Sequence, residues 1–262
     1  MRAADAARPG RARTVPPSTV PQTAVERLRG TMFRRFLRAF LSLVMRVAFR
    51  PRITGVHHIP AEGPCIIAAN HLSFSDHVFI SLAVSRPVCF IGKAERLTGK
   101  GVKGRLSAAF FRAIGIVPVE RDGGPGGVAA LGLAREVIED GQVFGIHPEG
   151  TRSPDGRLYR GRTGVGWLAM ATGAPVVPCG IVGTDRVQPL GRMVPKPVRF
   201  DLHFGAPLSF AEYHGKEGEA RLRRSVTDTV MKEIERLSGL EYVPRFATMH
   251  KDAAAKEKET AA

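Results

Sequence analysis

A histidine and an aspartate five residues apart, His71 and Asp76, are the residues of this 262-residue chain whose types and spacing first suggest chemistry. The carboxylate of such a pair fixes the imidazole tautomer and stabilises its charged form, leaving the other ring nitrogen to act as a base. On an ideal helix the two would be about 140° apart, so they meet only if His71 lies on a bent entry turn. The local sequence allows one. The apolar run 64–69 reads as a buried strand, and a helical pattern begins near Asp76. A strand-to-helix turn in an α/β protein holds side chains over the crevice at the carboxyl ends of the strands. Taken alone, the pair also has a simpler reading, a helix-capping aspartate beside a surface histidine.

Two further stretches carry groups suited to an anionic ligand. Gly145-Ile146-His147-Pro148-Glu149-Gly150-Thr151-Arg152-Ser153 follows another apolar run. Its arginine could make bidentate, charge-assisted hydrogen bonds to a phosphate, and Glu149 could order the loop or the arginine. Gly115-Ile116-Val117-Pro118-Val119-Glu120-Arg121-Asp122 is again a strand pattern running into an arginine. Each stretch alone also reads as a turn with an ordinary ion pair. What favours a site is convergence: the ends of parallel strands in a wound sheet meet at one crevice.

The elements that must position these residues follow from the alternation of short apolar runs with amphipathic stretches. Strands are expected at 53–56, 65–69, 88–91, 116–119, 143–146, 176–181 and 198–204, and helices at 76–85, 103–114, 128–140, 164–172 and 217–237. Repeated β-α alternation implies an α/β fold, a mostly parallel central sheet with helices on both faces. Trp167 is expected as a core anchor, with neighbouring small residues allowing close helix packing. Glycine-rich 123–127 lacks the spacing of a phosphate-binding loop and reads as a flexible connection.

Charge is distributed unevenly. The chain carries +15 at pH 7, and twelve arginines against Asp5 and Glu26 put +10 of that within residues 1–52. Residues 1–23 read as a disordered basic arm and 24–52 as an amphipathic helix preceding the sheet. In that helix Arg35, Arg38, Ser42, Arg46 and Arg50 form a polar stripe, opposite Phe33, Phe36, Leu37, Phe40, Leu41, Val44 and Val47. Its longest uncharged run is far below the roughly 20 residues that span a bilayer. The expected setting is a membrane interface, phenylalanines in the acyl boundary and arginines on anionic headgroups; docking on the protein's own core is the alternative. No nucleic-acid motif follows the basic segment, so nucleic acid is not an expected partner. The main domain is placed at 53–246 and a polar tail at 247–262. Cys65, Cys89 and Cys179 stand singly in apolar runs and read as buried thiols of a reducing compartment. The histidines show no metal-ligand spacing, and neither a metal nor a cofactor is expected.

Asn70-His71-x4-Asp76, residues 115–121, Pro148-Glu149-Gly150-Thr151-Arg152-Ser153 and Val176-Val177-Pro178, in this order and at these intervals, resemble the four sequence blocks of the 1-acylglycerol-3-phosphate acyltransferase (PlsC-type) glycerolipid acyltransferases. The resemblance implies that His71 is the catalytic base and Asp76 its orienting carboxylate. It implies substrate binding by Asn70, Arg121, Glu149, Gly150, Thr151 and Arg152, with the segment around Pro178 lining the acyl or donor side. The implied reaction moves a fatty acyl group from acyl-CoA or acyl carrier protein to a lysophospholipid hydroxyl. The product would be phosphatidic acid, made at the cytoplasmic face of the cell membrane. No acyl-enzyme is required, so Ser73 and Ser75 read as local hydrogen-bonders. The alternatives are acylation of another acceptor, such as glycerol-3-phosphate, a glycolipid or an aminolipid, and a non-catalytic peripheral lipid-binding module. One departure stands out: His147 occupies the position where the resembled family most often has phenylalanine.

Overall fold

A computed structural model of the chain describes residues 32–93, 116–119, 125–192 and 194–249. Helix α1 (Met32–Phe49) leads into β1 (Arg52–Thr54) and β2 (Cys65–Ala69), followed by α2 (Asp76–Ala83), β3 (Val88–Lys93) and β4 (Ile116–Val119). Then come α3 (Pro125–Glu139), β5 (Val143–Ile146), β6 (Leu158–Tyr159), α4 (Gly164–Thr172) and β7 (Val176–Val182). The short α5 (Thr184–Val187), β8 (Asp201–Phe204), α6 (Ala220–Ser238) and β9 (Tyr242–Val243) complete the described elements.

The order in space follows from burial. Every residue of β2 is buried, and a strand apolar on both faces needs a layer above and below it. It therefore lies inside a seven-stranded sheet of order β1-β8-β7-β2-β5-β3-β4. Strands β7, β2, β5, β3 and β4 are mutually parallel, whereas β8 pairs antiparallel with β7 and parallel with β1. The expected mostly parallel α/β sheet is present. Alternate side chains of β2 feed the two cores: Cys65, Ile67 and Ala69 point into one with Phe79, Phe90 and Phe200, and Ile66 and Ala68 into the other with Leu168, Val230 and Ile234. Helices α1 and α2 cover the first face, and α3, α4 and α6 the second.

Register decides which loops meet. Ala68 is paired with Ile146 of β5 and with Pro178 of β7, so the chain leaves β2 and β5 at one level, while β7 runs on beside the turn to Val182. Residues 70–76 and 147–153 emerge side by side. Strand β4 lies three places from β2, roughly 14 Å at ordinary strand spacing. Arg121 and the helix expected at 103–114 lie outside the described residues.

Several expectations are corrected. The second part of the glycine-rich connection, 125–127, is helical, because α3 begins at Pro125 and includes Gly126 and Gly127, while 123 and 124 lie outside the described residues; proline tolerates the first turn, where its missing N–H would have no intrahelical partner. Trp167 is only partly buried at the rim of the second core. Close helix packing does occur beside it, since a Cβ at Gly166 would lie 2.4 Å from the Arg223 carbonyl of α6. Strand β8 starts at Asp201 rather than 198. The packed domain continues past 246: Ala247 is buried, and Arg162 Nη2 donates to Thr248 Oγ1 at 3.2 Å. All three cysteines are free and buried.

Two residues of the polar stripe of α1, Arg38 and Ser42, face inward, whereas Arg46 and Arg50 are exposed. Arg38 Nη2 donates to the carbonyls of Ser81, Val84 and Arg86, and Ser42 Oγ to Leu82 O. The Ser81, Leu82 and Val84 carbonyls are those at the end of α2 that its own helix leaves unbonded, with Arg86 O just beyond it, and a guanidinium there also suits the helix dipole. Met45 is buried and Leu41 and Phe49 pack beside it. Phe36, Phe40, Leu43, Val44 and Val47 point outward, with Phe36 at 73% and Val47 at 66% exposure. No described helix is long and apolar enough to cross a membrane.

Candidate active site

The site grows from the turn between β2 and α2. Asp76, the first residue of α2, is fully buried, and its Oδ2 accepts three hydrogen bonds: from the amides of Leu72 and Ser73, each at 2.8 Å, and from His71 Nδ1 at 2.9 Å. One side chain thus folds the turn and grips the histidine that the turn presents. Because the ionised carboxylate can only accept, the hydrogen sits on His71 Nδ1, leaving a lone pair on Nε2. The His71 side chain retains 12% exposure against none for Asp76. Burial raises the Asp76 carboxyl above its usual range, while His147, the Ser73 amide, the Thr184 hydroxyl and His77 oppose that rise. Three converging donors favour the ionised form at neutral pH.

The other residues of the first motif hold the turn from behind. Asn70 is fully buried; its side chain donates to Ile181 O at 2.9 Å and accepts from Ile181 N at 2.7 Å, locking the end of β2 to β7. Ser73 Oγ donates to Gln188 O at 3.2 Å, and Ser75 Oγ to Gln188 Oε1 at 2.5 Å. Both serines are hydrogen-bonders, but the expected local role is met only by the bond from the Ser75 amide to Ser73 Oγ at 3.3 Å, since both hydroxyls donate to distant Gln188. Gln188 escaped the sequence reading because it lies more than a hundred positions away.

Glu149 joins the two motif loops. It is 1% exposed; Oε2 accepts from the His71 amide at 2.8 Å and Oε1 from the Tyr159 amide at 2.9 Å. The Ser153 amide returns a bond to His71 O at 2.7 Å. These two contacts describe ordering of the loop, one of the roles open to Glu149 in the sequence. Gly150 makes the corner with φ +73°, a left-handed conformation that favours glycine. Thr151 and Arg152 follow, each half-buried, on the stretch tied by Glu149 and Ser153. The small β6–β9 sheet closes the far side of that loop.

Three imidazoles gather at the mouth of the turn. The His147 ring lies parallel to His71, centroids 4.0 Å apart and planes at 10°, and stacks on its other side towards Phe90 at 5.7 Å. The aromatic slot that His147 occupies explains how histidine can stand where an aromatic residue is expected. Its Nδ1 lies 2.9 Å from Ala69 O and 3.0 Å from Asn70 O, so Nδ1 carries the hydrogen. His77, beside Asp76 in sequence, meets both rings edge-on at 5.0 and 4.8 Å, and its Nδ1 lies 3.2 Å from Phe74 O. Burial, then the neighbouring His71 and His77, hold His147 well below the ordinary histidine range; it is neutral at pH 7. Sequence reading noticed His147 but overlooked His77.

Comparison with known proteins matches residues 50–182 to the Acyltransferase family model. A chloroplast 1-acyl-sn-glycerol-3-phosphate acyltransferase of Brassica napus is 31% identical over 169 residues, which are 61% of this chain and 47% of that protein. The chain thus spans about half the length of that plant relative. The 1-acyl-sn-glycerol-3-phosphate acyltransferase of Bacillus subtilis is 22% identical over 205 residues, 78% of this chain and 96% of that protein. Among solved structures, the 1-acyl-sn-glycerophosphate acyltransferase PlsC of Thermotoga maritima superposes with a TM-score of 0.57 at 26% identity, covering 82% of this chain and 87% of that one.

Proposed function

The chain belongs to the PlsC-type acyltransferase family, and from that premise we propose that it transfers a fatty acyl group from a thioester to the free hydroxyl of 1-acylglycerol-3-phosphate. The observation that carries this reading is the His71–Asp76 pair, bonded at 2.9 Å with its carboxylate out of water. His71 Nε2 removes the proton of the acceptor hydroxyl, and the oxygen attacks the thioester carbonyl to give a tetrahedral oxyanion. The C–O bond is retained, the C–S bond breaks, and His71 returns the proton to the departing thiolate of coenzyme A or acyl carrier protein. Asp76 holds the imidazole in the required tautomer throughout and stabilises its cation.

Arg152 and Arg121 are assigned to the acceptor phosphate, their role being orientation of the hydroxyl towards His71. Support for Arg152 is its place on a loop bonded to His71 at both Glu149 and Ser153. Asn70 and Glu149 serve the site from within, as their bonds to Ile181, His71 and Tyr159 suggest. The outward face of α1, with Phe36, Phe40 and Val47, supports a peripheral position on a membrane surface, which we assign to the anionic cytoplasmic face of the cell membrane.

Purified protein assayed with acyl-CoA and with acyl carrier protein against a panel of lyso-acceptors tests the assignment. Acylation of 1-acylglycerol-3-phosphate in preference to acceptors lacking the phosphate is expected. Equal turnover of phosphate-free acceptors would contradict the arginine assignment, and no thioester consumption with any acceptor would contradict acyl transfer.

A further inference from the structure

The three imidazoles at the mouth of the site do more than stack. One ring nitrogen of each of His71, His77 and His147 lies within 4.8 Å of one from each of the others. Each ring also engages a purely accepting oxygen through Nδ1: Asp76 Oδ2, Phe74 O, and Ala69 O with Asn70 O. That fixes the hydrogen on Nδ1 in all three, so each Nε2 carries a lone pair. Histidines that ligate metals are held in this manner, the second nitrogen donating to a carboxylate or a backbone carbonyl. A further observation points to a ligand: His147 Nε2 is buried and has no hydrogen-bond partner. A buried acceptor left unsatisfied costs free energy that a bound cation would recover.

We propose that His71, His77 and His147 form a site for one divalent transition-metal ion such as Zn²⁺, and that occupation withdraws His71 from acyl transfer. Imidazole donors suit zinc, copper and nickel, and three of them leave a fourth position for water. Binding draws the nitrogens to about 3.3 Å of one another, the separation that Zn–N bonds of about 2.0–2.1 Å set in a tetrahedron. Because the His71 and His147 rings now stack face to face, their in-plane lone pairs run side by side, and ligation requires both rings to open out of that stack by tens of degrees. The metal takes the His71 lone pair that would otherwise accept the hydroxyl proton, so occupied enzyme lacks its base. This second half rests on the proposed role of His71; the site itself does not.

The test uses the full chain, stripped with EDTA and titrated with ZnCl₂ by calorimetry. Expected are one tight equivalent and affinity lower by about 10-fold or more in His77→Phe and in His147→Phe. Affinity should be unchanged when the separate His57 and His58 pair, with rings 4.2 Å apart, is replaced by alanine. Ring-nitrogen NMR of ¹⁵N-histidine-labelled wild type requires no variant: three of the eight histidines should shift on zinc addition. Absence of a stoichiometric site would overturn the proposal, as would binding indifferent to His77 and His147 or shifts confined to the other histidines. Acyl transfer is then measured on the same samples and should fall with zinc occupancy and return with EDTA. Zinc bound at the three histidines with acyl transfer intact would leave the site standing and remove His71 from the role of base.

Discussion

At the scale of single residues, the turn between β2 and α2 is a small hydrogen-bond network in which Asp76 Oδ2 and both Glu149 oxygens accept backbone amides. Glu149 spends both oxygens on the amides of His71 and Tyr159. Glu149→Ala leaves two buried N–H groups unpaired, at about 1–3 kcal/mol each. A loss of about 2–6 kcal/mol in urea unfolding is expected, and an unchanged midpoint would show that the loop holds its place without it. His147 gives a pH signature. Its folded-state value lies well below the ordinary histidine range, whereas the unfolded chain binds a proton there near pH 6.5. The unfolded state therefore holds more protons below that pH, and stability falls with acidification by about 1.4 kcal/mol per unit for this one group. Unfolding curves in EDTA-containing buffer should lose that component in His147→Phe; equal acid slopes in the two proteins would refute a buried neutral ring. The His71–Asp76 pairing was legible because it is local, with a strand signal before it and a helix signal after it. The contributions of Gln188 and the stacking of His147 were not, since both depend on contacts between strands far apart in sequence.

At the scale of elements, strands 65–69, 116–119 and 143–146 and helix 164–172 match their sequence boundaries, because buried apolar runs and small-residue helices have few alternatives. Helix α1 shows where periodicity stops being informative. Its polar stripe and apolar face were both visible in the sequence, but a stripe of Arg and Ser suits water, headgroups or the carbonyls of another helix. The Ser81, Leu82, Val84 and Arg86 carbonyls at and just beyond the end of α2 decide it for Arg38 and Ser42, while Arg46 and Arg50 stay exposed. The consequence is an apolar face fixed outward by polar anchors. Replacing Phe36 and Phe40 with serine should weaken sedimentation with anionic phospholipid vesicles by at least 10-fold, since each ring loses about 1.5–3 kcal/mol of burial in the acyl boundary. The melting temperature should hold, because both side chains are exposed. Undiminished vesicle binding would remove α1 from the membrane contact.

At the scale of the whole molecule, the parallel sheet brings the ends of β2 and β5 to one level, so motifs about 75 residues apart in the sequence form one hydrogen-bonded surface. That convergence could be anticipated from alternation alone, whereas the strand order that makes β2 and β5 neighbours could not. Two cores, one on each side of the sheet, hold the strands rigid while the loops above them carry the chemistry. The central claim is that this scaffold exists to present one imidazole, held by one buried carboxylate, to a bound hydroxyl. Its most direct test is the initial rate of acyl-CoA consumption with 1-acylglycerol-3-phosphate by purified wild type and His71→Ala, with melting temperature measured on the same preparations. A rate lower by roughly 10²–10⁴-fold at an unaltered melting temperature is expected. A His71→Ala protein that turns over at the wild-type rate would contradict it.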